Sequence, residues 1–250
     1  MDRAPELTRR QGHNTAGELV KSVVFGGLDG ILTSFAVVTG AVGGGLSPQA
    51  ILVLGFSGAI AEGLAMGLGD ALSTKAEREL VQHERARELF EYDTYREGEM
   101  AEMVELYASR GMSREDAEEV VSLVAPHRSF FVDVMTMEEL GLSLPEQDDN
   151  PWKDGFVTCA SFICFGSLPL LGYAAFPALF PDLSERQLLA AATAVTLATL
   201  FLLGAVKSVF SPKSWIRGGA EMVAVGGLVA FIAFWIAAFT SEYEEAHKRA

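Results

Sequence analysis

Three side chains able to hold a cation recur at one helical interval inside an apolar stretch. Glu62, Met66 and Asp70 are successive i, i+4 neighbours in Gly58-Ala-Ile-Ala-Glu62-Gly-Leu-Ala-Met66-Gly-Leu-Gly-Asp70, so a helix would stack them on one face. The apolar run begins near Ala50 and, at about 20 residues, is long enough to cross a bilayer. An acid at that depth costs roughly 2.5–3.5 kcal/mol on insertion scales, so it is expected to face a cavity or a partner. The Met thioether is softer than any oxygen donor, and alongside carboxylates it favours a transition metal over calcium or magnesium. Asp29, flanked by Gly26, Gly27 and Gly30 in an earlier apolar run, is a second acid of this kind. The plain accounts are gap-filling for Met66 and a hydrogen bond to a neighbouring Ser or Thr for Asp29. Acids and thioether together on one face favour function. A separate strip, Ala59, Gly63 and Gly67, would let another backbone approach closely.

A second set of candidates lies in a segment of different character. From Lys75 to Asp154 there are nine Lys or Arg against 21 Asp or Glu. Glu84, Glu88 and Glu91 would share one helix face, and Glu99 and Glu102 another with Met103 beside them. Met135, Glu138 and Glu139 form a further turn. Like charges at these spacings destabilise a helix by a few tenths of a kcal/mol each, and a cation removes that cost. In a small antiparallel bundle the pairs can converge on a common site. The plain alternative is a solvated acidic surface salted with Arg85, Arg87 and Arg96. Glu-x-x-Glu twice in 15 residues, followed by a Met-Glu turn, favours binding. The Glu-x-x-His signature of di-iron bundles is missing, and His83 and His127 are not placed to supply it. That argues against an oxygen-activating ferroxidase. Ferrous iron, with manganese, cobalt and zinc behind it, suits carboxylate plus thioether donors.

The elements that must position these groups are helices. Half of the 250 residues are hydrophobic and the formal charge is -14, with the apolar residues gathered in long blocks as in membrane proteins. Five spans are expected: Glu18 to about Val42, then about 49–73, 155–176 with a kink at Pro169, 187–206 and 218–240. Glu18 and Lys21 are expected to pair at the start of the first, and Phe176–Asp182 to form a loop. The reading is thus an all-α membrane protein of five transmembrane helices with a cytosolic helical insertion between the second and third. Its divisions are a flexible lead 1–16, helices one and two in 17–73, an acidic metal-binding domain 74–150, helices three to five in 151–241, and a lumenal tail 242–250. Within the insertion, helices are expected at about 74–96, from a bend at Gly98 to about Ser109, from a capping-box-like Ser113-Arg-Glu-Asp116 to before Pro126, and at about 129–140. Glu146–Pro151 is expected as a linker. Lys and Arg near the span ends place the N-terminus and insertion on the cytosolic side and the C-terminus across the membrane. Cys159 and Cys164 sit in an apolar block and imply no disulfide framework. No cleavable signal peptide is evident. With no basic stripe to neutralise phosphates, the acidic balance argues against a nucleic-acid partner.

Three separated motifs carry a resemblance: Lys21-Ser-Val-Val-Phe-Gly-Gly-Leu-Asp29-Gly-Ile-Leu-Thr-Ser-Phe, the Gly58–Asp70 run, and Asn150-Pro-Trp-Lys-Asp-Gly. With the acidic insertion in the same order, the chain over about 17–240 resembles a plant-type member of the vacuolar iron transporter family. Some members lack the insertion; this chain keeps it. The resemblance implies a homodimer in the vacuolar membrane that moves ferrous iron from cytosol to vacuole in exchange for protons, and so a transporter rather than an enzyme. It implies insertion ligands Glu88, Glu91, Glu99, Glu102, Met135 and Glu139. It implies a transmembrane site of Asp29 and Met66 from both subunits, helped by Glu62. The competing reading is a membrane-tethered metal-binding or sensing protein whose acidic bundle is the active part.

Overall fold

A computed structural model describes residues 4–145, 150–176, 182, 184–208 and 214–249. Among these there are seven helices and no strand: α1 Ala4–Gly43, α2 Pro48–Ser109, α3 Arg114–Val124, α4 Arg128–Glu138, α5 Pro151–Ala174, α6 Glu185–Lys207 and α7 Trp215–Arg249. Five of them (α1, α2, α5, α6 and α7) contain stretches long and apolar enough to cross a membrane. In hydrocarbon every backbone N–H and C=O must be satisfied within the protein, which a helix does by itself. The chain divides into two compact units, one of Met1–Ala71 with Trp152–Ala250 and one of Leu72–Pro151.

In the apolar unit, Val38, Ile51, Leu170, Tyr173, Leu188 and Ala192 form one buried cluster and Ile31, Leu200 and Leu203 another. Close backbone approach joins α5 to its neighbours. A Cβ added at Gly67 would sit 2.5 Å from the Gly155 carbonyl oxygen, and one at Gly26 2.5 Å from that of Thr158. Ala59, Gly63 and Gly67 are all buried, Gly63 against Ile163 and Phe162. Without a hydrophobic driving force in lipid, such small-residue contacts supply the packing. Pro169 is buried inside α5, which continues past it to Ala174. Along α7, Leu228, Phe231, Trp235 and Phe239 stand exposed, as a lipid-facing surface requires.

The acidic unit has its own core of Tyr92, Met103, Val104, Ala117, Val121, Ala125, Phe131, Val132 and Met135. The Tyr92 hydroxyl donates to the Ala125 carbonyl at 2.6 Å, and its ring packs 5.5 Å from that of Phe131. The Ser113 hydroxyl caps α3, accepting from the Asp116 N–H at 3.1 Å.

Several boundaries differ from the sequence reading. α1 already begins at Ala4, so most of the expected flexible lead is helical, and α7 runs through the expected tail to Arg249. The break in α2 falls at Tyr95 (φ -144°, ψ 60°), not at Gly98. Gly98 has a steric role there, because a Cβ would collide with the Tyr95 ring. The Glu18–Lys21 pair, most of the Phe176–Asp182 loop and most of the Glu146–Pro151 linker lie outside the described residues or side chains.

Gly67→Ala should push α2 off α5 and cost about 1–3 kcal/mol of stability, the usual price of overpacking. Gly58→Ala and Gly69→Ala, where no atom lies within 4 Å of the added Cβ, should melt like the parent in detergent.

Candidate metal centre

The Tyr95 break is what makes a site. Glu88 and Glu99 are 11 residues apart, which a continuous helix would hold about 16 Å apart along its axis. Instead, ligand oxygens of Glu88, Glu91 and Glu99 lie within 4.8 Å of one another. Glu88 is 2% exposed and Glu99 7%, whereas the Glu91 side chain is 45% exposed. The site therefore has a dry floor and an open side.

Its electrostatics show which other acids face it. Burial pushes the Glu99 carboxyl up to about 7, with Glu102, Glu88, Glu91 and Glu139 adding repulsion. Burial also raises Glu139, with further contributions from Glu88, Glu102 and Glu91. Glu88 is raised by burial, partly offset by its hydrogen bond from Arg87. Five carboxylates thus feel one another across the space between the two halves of α2 and the end of α4. For Glu88, Glu99 and Glu139, burial and like charge both favour the neutral acid, and a cation placed among them would reverse both effects. Met135 is fully buried among the apolar core residues one turn before Glu139, whose N–H donates to the Met135 carbonyl at 2.9 Å.

The arginines expected as surface salt are not equivalent. Arg85 binds Asp133 at 2.6 Å and Ser129 at 3.0 Å. Arg96 lies 5.4 Å from the Tyr92 ring centroid. Arg87 reaches into the cluster, with Glu84 at 2.7 Å, Glu88 at 3.2 Å and Glu91 at 3.8 Å. Glu138, grouped with Glu139 by sequence, instead pairs with Arg110.

In the apolar unit, Asp29 and Glu62 are exposed on the single chain and Met66 is half-buried. Among the described residues neither Asp29 nor Glu62 has a hydrogen-bond or ion-pair partner. The described residues of one chain form no group of three His, Cys, Asp or Glu ligands there. Asp70 departs from its two neighbours on the stripe. Its carboxylate accepts from the fully buried Thr158 hydroxyl at 2.8 Å. Spacing alone flagged Asp70 but could not reveal Thr158, since a lone Thr in an apolar helix carries no signal.

The sequence pattern of the VIT family matches residues 20–238. The chain is similar to a vacuolar iron transporter of Toxoplasma gondii, 37% identical over 241 residues that cover 94% of this chain and 80% of that protein. It is similar to a vacuolar iron transporter of Plasmodium falciparum at 32%, covering 90% and 83%. It is also similar to vacuolar iron transporter 1 of Arabidopsis thaliana at 29%, covering 90% and 87%.

The raised Glu99 value carries a pH signature. Folded chains keep this proton to about pH 7 while unfolded ones lose it near the ordinary 4.5. Between those values the folded state binds more protons, so the metal-free unit loses stability as pH rises. Metal binding runs the other way, because each ion must displace that proton below pH 7. Mn²⁺ titrations should show affinity falling by up to about tenfold per pH unit below 7 for a one-proton exchange. Glu99→Gln should flatten that slope and weaken binding at pH 8; an unchanged slope would refute the assignment.

Proposed function

The chain belongs to the VIT family, and from that premise we propose that it carries ferrous iron from the cytosol into a vacuole in exchange for protons, with manganese, cobalt and zinc as lesser cargo. The relatives bearing the name vacuolar iron transporter support the iron and the compartment. Five helices able to cross a membrane support a multi-pass transporter.

The observation that carries the reading is that Asp29 and Glu62 stand in apolar spans without a hydrogen-bond or ion-pair partner among the described residues of their own chain. An ionisable group in that position is functional by default, because water, a partner chain or a bound ion must offset its burial in lipid. In a homodimer, two copies of Asp29 and Met66, with Glu62 nearby, would line one path along the twofold axis. A carboxylate accepts either a metal ion or protons, and binding one releases the other, which is the chemistry an antiporter needs. The acidic unit, with Glu88, Glu91, Glu99, Glu102, Glu139 and the Met135 thioether as donors, would gather ions on the cytosolic side, the orientation that the flanking Lys and Arg support. Hard carboxylate with soft thioether suits ferrous iron and its first-row neighbours.

Reconstituted protein tests this directly. Liposomes with an acidic interior should accumulate Fe²⁺ anaerobically, and collapsing the pH gradient should stop uptake. Asp29→Ala should abolish flux, while Glu102→Ala should weaken Mn²⁺ binding and leave the path open. Binding without any flux would instead favour the tethered metal-binding protein.

A further inference from the structure

We propose that Arg87 is a built-in rival for the metal at the carboxylate cluster, and that Glu84 is the anchor to which it withdraws when an ion enters. This rests on the reading of Glu88, Glu91, Glu99, Glu102 and Glu139 as a metal site. Other arginines of the acidic unit are engaged elsewhere. Arg85 is with Asp133, Arg110 with Glu138, Arg114 with Glu105 and Arg128 with Asp93. Arg87 alone among these bridges Glu84, Glu88 and Glu91.

Two of its three partners belong to the tight group of ligand oxygens, and the third does not. Glu88 is fixed in the dry floor at 2% exposure, while the Arg87 side chain is 47% exposed, with its open half available for movement. A divalent ion shared by Glu88 and Glu91 needs the Glu88 lone pair that the guanidinium now occupies. It also repels the guanidinium, since like charges a few ångströms apart raise the energy steeply in a poorly hydrated site. Arg87 must then let go of Glu88 and Glu91. Glu84 makes the shortest of the three ion-pair contacts with it, at 2.7 Å, and lies one turn before Glu88 on the helix. The arginine thus neutralises the empty cluster, lowers its affinity below what five carboxylates would give, and returns when the ion leaves.

The two residues should therefore act in opposite directions. Arg87→Gln should tighten binding of Mn²⁺ to the full chain in detergent at pH 7.5 by on the order of five- to tenfold. Glu84→Gln should weaken it, because Arg87 then bears on Glu88 and Glu91 alone. In the Arg87→Gln background, Glu84→Gln should have no further effect. Arg87→Lys, retaining the charge, should stay near the parent. Unchanged or weaker binding in Arg87→Gln would overturn the proposal, since an arginine that merely braces the ligands gives that result. A Glu84→Gln loss of equal size in both backgrounds would also overturn it, by making Glu84 a ligand. Glu99→Gln separates the underlying reading: if it leaves Mn²⁺ affinity unchanged at pH 8, the cluster itself is not a metal centre.

Discussion

Carboxylates brought together out of water must find positive charge or take up protons. Glu88 and Glu99 are almost wholly withdrawn from solvent with Glu91 beside them, and burying charge uncompensated costs several kcal/mol per ion. Without metal, the unit meets this demand in two ways. Glu99 holds its proton to about pH 7, and Glu88 accepts a hydrogen bond from Arg87. Both substitutes are weaker than a divalent cation and both can leave. What keeps the acids together is the core beneath them. Tyr92 is tied to Ala125 on one side of the break, and Met103 and Met135 are buried from α2 and α4. Apolar packing sets the geometry, and the polar groups bear its cost.

The apolar unit answers a different constraint. There the helices gain nothing from hiding hydrocarbon from water, so contact depends on how closely backbones can approach. Gly67 and Gly155 meet where any side chain would separate the helices, and Gly26 lies against Thr158. Thr158 also gives its hydroxyl to Asp70. The same stretch of α5 therefore sets the position of α1 near Asp29 and of α2 near Met66. Small residues turn inward toward α5 and leave Asp29 and Glu62 on the outside of the single chain.

The spans were legible because composition alone separates hydrocarbon-length apolar blocks from the acidic stretch between them. The sharing of faces by acids was legible because helical spacing is fixed. Glu88 and Glu91 come together for that reason. Their meeting with Glu99 needed a break in α2, which the sequence suggested at Gly98 for its missing side chain. The break is at Tyr95, an ordinary residue whose ring needs the room Gly98 leaves. Glycine marked the neighbourhood and not the hinge. Arg87 was illegible for a related reason. Arg85, Arg87 and Arg96 look alike in one dimension, and only the partners offered by α4 and the Tyr92 ring draw two of them away. The Asp70–Thr158 bond pairs residues 88 apart, beyond the reach of any local pattern.

Charge and donor count explain why two unlike sites would suit one carrier. The acidic unit brings carboxylate oxygens of Glu88, Glu91 and Glu99 together, with Glu102 and Glu139 near enough to repel Glu99; such a set would draw dilute cations, and protons and Arg87 would compete with them. The spans offer Asp29, Glu62 and Met66, fewer charges and one soft donor, and within one chain the described residues do not assemble a group of three ligands there. First-row divalent ions commonly take more donors than that, and an ion shedding its water for so few would gain little. Doubling the set across a twofold axis would supply donors without placing more than one or two acids in any single span, where each costs about 2.5–3.5 kcal/mol to insert. A symmetric pair is thus the cheapest way to build a metal path from helices that must first be apolar enough to enter the membrane.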